Sequence, residues 1–164
     1  MELPIIIYTD GAALGNPGPG GYGAVLMHAQ FRKELSGGFR RTTNNRMELL
    51  AVIMALKHIK SPGLPIQVYT DSKYVCDAIE KKWLFGWKAK GWKKVKNVDL
   101  WQTFLPLYED YKPKFYWVKG HVGIKENERC DVLATTAAQM GPTDIDVNYE
   151  KYESDQANGL GLDI

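Results

Sequence analysis

Two short apolar runs in this chain end in the same three residues, Tyr-Thr-Asp. IIIYTD occupies positions 5–10 and IQVYTD occupies positions 66–71, and both runs contain several β-branched residues. Continuous apolar runs of this length are typical of strands that are buried on both faces of a sheet. If the two strands are parallel neighbours, their carboxyl ends place Asp10 and Asp71 side by side, at the edge where open α/β sheets bind ligands.

The remaining pattern predicts an α/β fold. GYGAVLMH and RKELSGGF predict two strands in an antiparallel meander with the first. The apolar spacing then predicts a helix from Asn45 to about Ile59, and a second helix after IQVYT that Ser72 or Asp71 caps. A helix beginning at NVDLWQTF is expected to break at Pro106, a fifth strand follows at 114–120, and a last helix spans 126–140. The order βββαβααβα predicts a mixed sheet with helices on its faces.

Length and composition fit one globular domain. The chain has 164 residues, of which 45% are hydrophobic. No stretch contains the roughly 18 uninterrupted apolar residues of a membrane span. MELPIII has neither the basic segment nor the cleavage site of a signal peptide. We therefore expect a cytoplasmic protein with no membrane partner, in which Cys76 and Cys130 are reduced thiols.

Charge is segregated along the chain. Residues 81–96 contain seven lysines and no acid, whereas residues 142–164 contain six acids and one lysine. A basic segment of this density favours a polyanionic partner. The acidic tail shows no periodicity, and we expect it to be mobile.

Four acids lie at the ends of predicted elements: Asp10, Glu48, Asp71 and Asp131. Taken singly, each has a structural interpretation. Asp10 fits a turn, and Glu48 fits a capping-box partner of Asn45. Asp71 fits a helix cap, and Asp131 fits an acid near the start of a helix. Gathered at one edge, the four carboxylates would repel one another unless a cation neutralised them. Such a set of oxygen ligands suits Mg²⁺ or Mn²⁺ and not zinc.

Several long segments resemble a single family. The runs YTDGAALGNPGPGGYG, TTNNRMEL, YTDSKYV, GWKAKGWK, VKNVDLWQ and WVKGHVGIKENERCDVLA are similar, in this order, to the bacterial type 1 ribonucleases H. The resemblance implies a ribonuclease H domain at residues 1–141, followed by the acidic tail at residues 142–164. It also implies the ribonuclease H-like fold, an α/β fold with a five-stranded mixed sheet, its first three strands antiparallel, and helices on both faces.

The same resemblance implies a function. The expected enzyme is an endoribonuclease that hydrolyses the RNA strand of RNA–DNA hybrids with two Mg²⁺ ions, which Mn²⁺ could replace, and leaves 5′-phosphate and 3′-hydroxyl ends. It is expected to act as a monomer. The four acids become the metal ligands and catalytic residues, His121 a further catalytic residue, and Asn127 and Glu128 their supporting neighbours.

Substrate contacts are also implied, for ten residues: Asn16, Arg41, Thr43, Asn44, Asn45, Lys73, Trp83, Trp87, Lys88 and Asn97. Asn16, Asn44 and Asn45 would contact the minor groove and the ribose 2′-hydroxyls, because an amide side chain both donates and accepts hydrogen bonds. Arg41, Thr43 and Asn97 would hold a phosphate of the DNA strand. The tryptophans and lysines would contact the sugar–phosphate backbone. The structural alternatives are a turn role for Asn16, a helix cap at Asn45, and packing of the tryptophans against the body.

Two rival functions remain open at this point. One is a different nuclease built on the same fold, which the intact TNNRMEL segment and the basic segment argue against. The other is a catalytically silent module that binds hybrids, which we would expect to lack at least one of the four acids.

Overall fold

A five-stranded mixed sheet lies at the centre of the fold. The computed structural model describes residues 2–60, 63–119 and 123–159. The strands are β1 (Ile5–Ala13), β2 (Gly18–His28), β3 (Phe31–Thr42), β4 (Ile66–Thr70) and β5 (Lys114–Trp117), in the order β3-β2-β1-β4-β5. The first three strands are antiparallel, and β4 pairs in parallel with both β1 and β5. The predicted sheet is confirmed, including the parallel pairing of the two strands that end in Tyr-Thr-Asp.

The helices within the described ranges are α1 (Asn44–His58), α2 (Lys73–Glu80), α3 (Trp83–Ala89), α4 (Val98–Tyr111), α5 (Lys125–Gln139) and α6 (Val147–Ala157). Sequence reasoning missed α3, which lies in the basic segment, and α6, which lies in the acidic tail. The expected break at Pro106 is wrong, since α4 continues through it. Pro106 lies on the exposed side of the helix, where water can hydrate the carbonyl that loses its helical donor. Across the described part of the chain, no helix is long and apolar enough to pass through a bilayer.

Helices cover both faces of the sheet, as two adjacent glycines of β2 demonstrate. A Cβ added to Gly20 would lie 3.3 Å from Cγ of Met47 in α1, whereas a Cβ added to Gly21 would lie 2.4 Å from the carbonyl oxygen of Ala134 in α5. Successive residues of a strand point to opposite faces, so α1 and α5 lie on opposite sides. The main core is on the α1 side, where Trp101 and Phe104 of α4 are fully buried.

Residues 147–157 of the tail form α6, where the sequence showed no periodicity. Asp146 caps this helix, accepting a hydrogen bond from a backbone N–H of its first turn at 3.4 Å. Bidentate ion pairs of Arg40 with Glu150 and of Arg41 with Glu153 join α6 to β3. These partners are separated by 110 and 112 residues, so no local sequence pattern reports them. The domain boundary at residue 141 stays a prediction.

Candidate metal centre and nucleic-acid interface

Three carboxylates meet at the sheet edge where β1 and β4 run side by side. The parallel pairing aligns Thr9 with Thr70, so Asp10 and Asp71 occupy the next position on each chain segment. Glu48 reaches the same edge from α1, and one ligand oxygen from each of the three side chains lies within 4.8 Å of the others. The juxtaposition expected from the doubled motif is therefore confirmed.

The position of Glu48 depends on how α1 begins. Thr43 is the N-cap residue, and its Oγ1 accepts a hydrogen bond from the backbone N–H of Arg46 at 3.2 Å. The alternative of a capping box between Asn45 and Glu48 is therefore wrong. A Cβ on Gly11 would lie 2.3 Å from the backbone nitrogen of Glu48, so only a glycine lets α1 approach β1 this closely.

Asp71 is placed by the end of β4 and the start of α2. Ser72 caps α2 by accepting a hydrogen bond from the backbone N–H of Val75 at 3.2 Å, so the capping interpretation of Asp71 is wrong. Trp117 donates its indole N–H to the backbone carbonyl of Asp71 at 3.0 Å. The backbone that carries this carboxylate is thus held from the β5 side as well.

The carboxylates sit in an environment that disfavours their charges. Burial, together with the negative charges of Asp71 and Asp131, raises the pKa of Asp10 to about 7, against hydrogen bonds from Glu48 and Gly11 that lower it. Burial and the neighbouring Asp10 charge raise the pKa of Glu48 well above its usual value. Oε2 of Glu48 is buried and has no hydrogen-bond partner among the described residues. Clustered, desolvated oxygens of this kind fit a divalent cation, which would satisfy the unpaired oxygen and remove the repulsion.

The fourth predicted ligand, Asp131, is carried by α5 on the opposite face. It lies outside the group of three, although its charge contributes to the raised pKa of Asp10. A Cβ on Gly23 would lie 2.6 Å from the carbonyl oxygen of Cys130, so this glycine allows α5 to lie directly on β2. Gly23 pairs with Asp10 across the sheet, which explains why Asp131 is close enough to act on it.

The predicted catalytic histidine, His121, lies outside the described residues. Its predicted neighbours are described: Asn127 is buried in the first turn of α5, and its Oδ1 has no hydrogen-bond partner in the described part of the chain. Glu128 is exposed.

The predicted minor-groove residues lie at the start of α1 and in the β1–β2 turn. Asn44 accepts a hydrogen bond from the backbone N–H of Ala13 through Oδ1, and its own backbone N–H donates to Oδ1 of Asn16 at 3.0 Å. These bonds tie the β1–β2 turn to the start of α1 and leave the amide NH₂ groups without a protein acceptor in the described ranges. Asn45 is exposed and lines an adjacent cleft.

The three predicted phosphate contacts are already engaged with protein groups. Thr43 caps α1, and Asn97 donates to the hydroxyl of Tyr74 at 3.0 Å. Arg41 makes its bidentate pair with Glu153 at 2.6 and 2.9 Å. The guanidinium of Arg41, predicted to contact a phosphate, is therefore paired with a carboxylate of α6, a helix that the sequence did not predict.

Of the two tryptophans predicted to contact substrate in the basic segment, one packs against the protein body and the other is exposed. Trp87 packs edge-on against Trp101 with ring centroids 5.7 Å apart, which supports the packing alternative for this residue. Trp83 is 45% exposed. Lys88 lies 3.8 Å from Glu109, and Lys73 lies over the ring of Trp117 at 4.8 Å.

Sequence reasoning missed one buried network. The guanidinium of Arg46 is 4% exposed and makes paired hydrogen bonds to Asp99, at 2.8 and 2.7 Å, and to Asp146, at 2.8 and 3.0 Å. Thr42 donates to the Asp146 carboxylate at 2.8 Å. This network joins α1, α4 and the start of α6. No signal near Arg46 in the sequence indicates it, because both acids are more than fifty residues away.

Comparisons with known proteins agree on one family. The RNase H family model matches residues 2–139. A ribonuclease H of Syntrophus aciditrophicus (strain SB) is 53% identical over 153 residues, which cover 90% of this chain and 88% of the relative. Two solved structures are similar. LC9-RNase H1, a type 1 RNase H with the type 2 active-site motif, aligns with a TM-score of 0.75 and 29% identity over 98% of this chain and 86% of its own. LC11-RNase H1 in complex with RNA/DNA hybrid aligns with a TM-score of 0.59 and 30% identity over 82% of this chain and 96% of its own.

The resemblance to the bacterial type 1 enzymes is thereby confirmed, and the chain belongs to the ribonuclease H family.

Proposed function

We propose that this protein is an endoribonuclease that hydrolyses the RNA strand of RNA–DNA hybrids, leaving 5′-phosphate and 3′-hydroxyl ends. The observation that carries the proposal is the cluster of Asp10, Glu48 and Asp71, whose ligand oxygens lie within 4.8 Å of one another in a chain of this family. A related enzyme, LC11-RNase H1, was solved in complex with an RNA/DNA hybrid, which supports the same substrate class here.

The proposed cofactor is a pair of Mg²⁺ ions, which Mn²⁺ could replace. Asp10, Glu48, Asp71 and Asp131 would hold them, since a set made only of carboxylate oxygens suits these hard cations. Oε2 of Glu48, buried and without a hydrogen-bond partner in the part of the chain that the structure describes, supports this assignment. Two divalent ions in such a site supply an activated water and stabilise the leaving oxygen of a phosphodiester.

The chain's own residues would position the substrate and manage protons. Asn44 and Asn45 lie in the first turn of α1, about one turn before Glu48, and Asn16 is hydrogen-bonded to Asn44. Their amides can donate to or accept from a ribose 2′-hydroxyl and so separate RNA from DNA. We assign His121 to proton transfer near the scissile phosphate, because imidazole titrates close to neutral pH. Exposed Trp83 and the lysines of the basic segment would contact the backbone on either side of the cleavage site.

An end-labelled RNA–DNA hybrid tests the proposal. We expect cleavage of its RNA strand with Mg²⁺, no cleavage with EDTA, and no cleavage of single-stranded RNA, duplex RNA or duplex DNA. Asp10→Asn should abolish the reaction. Asp110→Asn, which changes an exposed acid of α4 in the same way, should leave it unchanged.

A silent binding module is the second candidate. Tight binding of the hybrid without cleavage in either Mg²⁺ or Mn²⁺ would favour it and would refute the nuclease. The monomeric state and cytoplasmic location expected from the sequence are part of the proposal, and light scattering after size-exclusion chromatography tests the first of them.

A further inference from the structure

A cleft of about 970 Å³ separates α6 from the basic segment. One wall carries Trp92, Lys94 and Lys96, and the other carries Asn148 and Lys151 of α6. Asn16, Thr43 and Asn45 also line it, so the cleft is continuous with the proposed hybrid-binding surface. A cavity of this size lies at the upper end of the roughly 300–1,000 Å³ range of small-molecule pockets.

The wall formed by α6 is firmly attached. Its base is the buried Asp146 carboxylate, which two hydrogen bonds from Arg46 and one from Thr42 hold. Two bidentate pairs then fasten its length to Arg40 and Arg41 of β3. Bidentate arginine–carboxylate pairs are the geometrically strongest of the exposed ion pairs. These contacts indicate that α6 stays in place when substrate binds and is not displaced by it.

The charges that face the cleft are mostly positive and unneutralised. Within the described ranges, no carboxylate oxygen lies within 4.0 Å of Nζ of Lys94, Lys96 or Lys151. Of the two acids that line the cleft, Asp99 is paired with Arg46. Among the described residues that line the cleft, the remaining acid is Asp155, one turn after Lys151 on α6. The acids of α6 at positions 150 and 153 point away, toward the arginines of β3.

We propose that α6 forms part of the substrate-binding surface, and that Lys151, facing Lys94 and Lys96 across the cleft, contacts the sugar–phosphate backbone of one strand of the hybrid. Arg41 is paired with Glu153, so α6 withdraws one cation from the surface and presents Lys151 in its vicinity. This inference rests on the proposed function for the identity of the ligand, but it concerns affinity and not the chemical step.

Binding of a fluorescein-labelled RNA–DNA hybrid, measured by anisotropy in EDTA over a series of KCl concentrations, tests the inference without requiring cleavage. Lys151→Gln should weaken the hybrid affinity at low salt by up to about fivefold, the upper end for one exposed ion pair. It should also lower the slope of log K against log[salt] by about 1, the signature of one lost phosphate contact. Lys151→Arg should restore both quantities.

The matched control is Lys57→Gln, an exposed lysine in the last turn of α1, at the end of that helix remote from Glu48. It should change neither affinity nor slope. Equal affinity and slope for Lys151→Gln and the control would overturn the inference. Tighter binding by Lys151→Gln would also overturn it, because the lysine would then oppose the hybrid. Because binding is read without metal, failure of cleavage does not affect either result.

Discussion

Removing the Asp10 carboxylate should stabilise the metal-free protein at neutral pH. Burial and nearby negative charges raise the pKa of this group from 3.8 to about 7, so its ionisation in the folded state costs about 4 kcal/mol relative to the unfolded chain. Because Glu48 shares the same repulsion, we expect Asp10→Asn to raise the free energy of unfolding at pH 8 by roughly 2–4 kcal/mol.

The sign follows from proton linkage. Between pH 4 and pH 7 the folded protein keeps the Asp10 proton that the unfolded chain has lost, so the metal-free wild type loses stability as pH rises through this window. Below about pH 4 both states hold the proton, and the advantage of Asp10→Asn should disappear. Saturating Mg²⁺ should stabilise the wild type at pH 8 and leave the variant almost unchanged, because a ligand stabilises only a state that binds it.

Urea unfolding followed by circular dichroism in EDTA, from pH 4 to pH 8, measures this effect. In thermal unfolding at pH 8, followed by the same signal, the melting temperature of Asp10→Asn should be roughly 5–15 °C higher, since 1 kcal/mol shifts it by about 2–4 °C in a domain of this size. Asp110→Asn serves as the control, because it removes an exposed acid. If Asp10→Asn proves no more stable than the wild type at pH 8 without metal, the account of a repulsive carboxylate cluster is refuted.

Three further outcomes are expected. Gly11→Ala should lower the free energy of unfolding by about 1–3 kcal/mol and reduce hybrid cleavage at least tenfold at saturating Mg²⁺, because the new Cβ would lie 2.3 Å from the backbone of α1. Gly86→Ala, where nothing lies within 4 Å of the new Cβ, is the control in both assays. Asp146→Ala should cost about 3 kcal/mol in urea unfolding, since it leaves the buried Arg46 with one carboxylate partner, and a loss below 1 kcal/mol would contradict this reading. Affinity for the hybrid in EDTA should fall linearly on a log–log plot as KCl rises, and a flat plot would argue against backbone recognition.

The strands that build the centre could be predicted because their signal is local. Apolar β-branched runs define β1 and β4, and the order of elements then makes them parallel neighbours, which brings Asp10 and Asp71 together. Glu48 required the long resemblance, since its spacing from Asn45 equally suggested a capping box. The cap is in fact Thr43.

The rest depends on contacts between distant parts of the chain. Acids at positions 146, 150 and 153 make the tail look like a solvated, mobile segment when read alone. In the folded protein they meet Arg46, Arg40 and Arg41, about a hundred residues earlier, and the neutralised segment forms α6. No periodicity or motif near these residues indicates that pairing. The sequence therefore predicted neither α6 nor the cleft that it lines.

The central claim is that the three carboxylates hold divalent ions, and anomalous diffraction from crystals soaked in Mn²⁺ tests it most directly. We expect Mn²⁺ peaks bounded by the carboxylate oxygens of Asp10, Glu48 and Asp71, and their loss in crystals of Asp10→Asn. Crystals that cleave a soaked hybrid while this cluster shows no Mn²⁺ peak would contradict this claim.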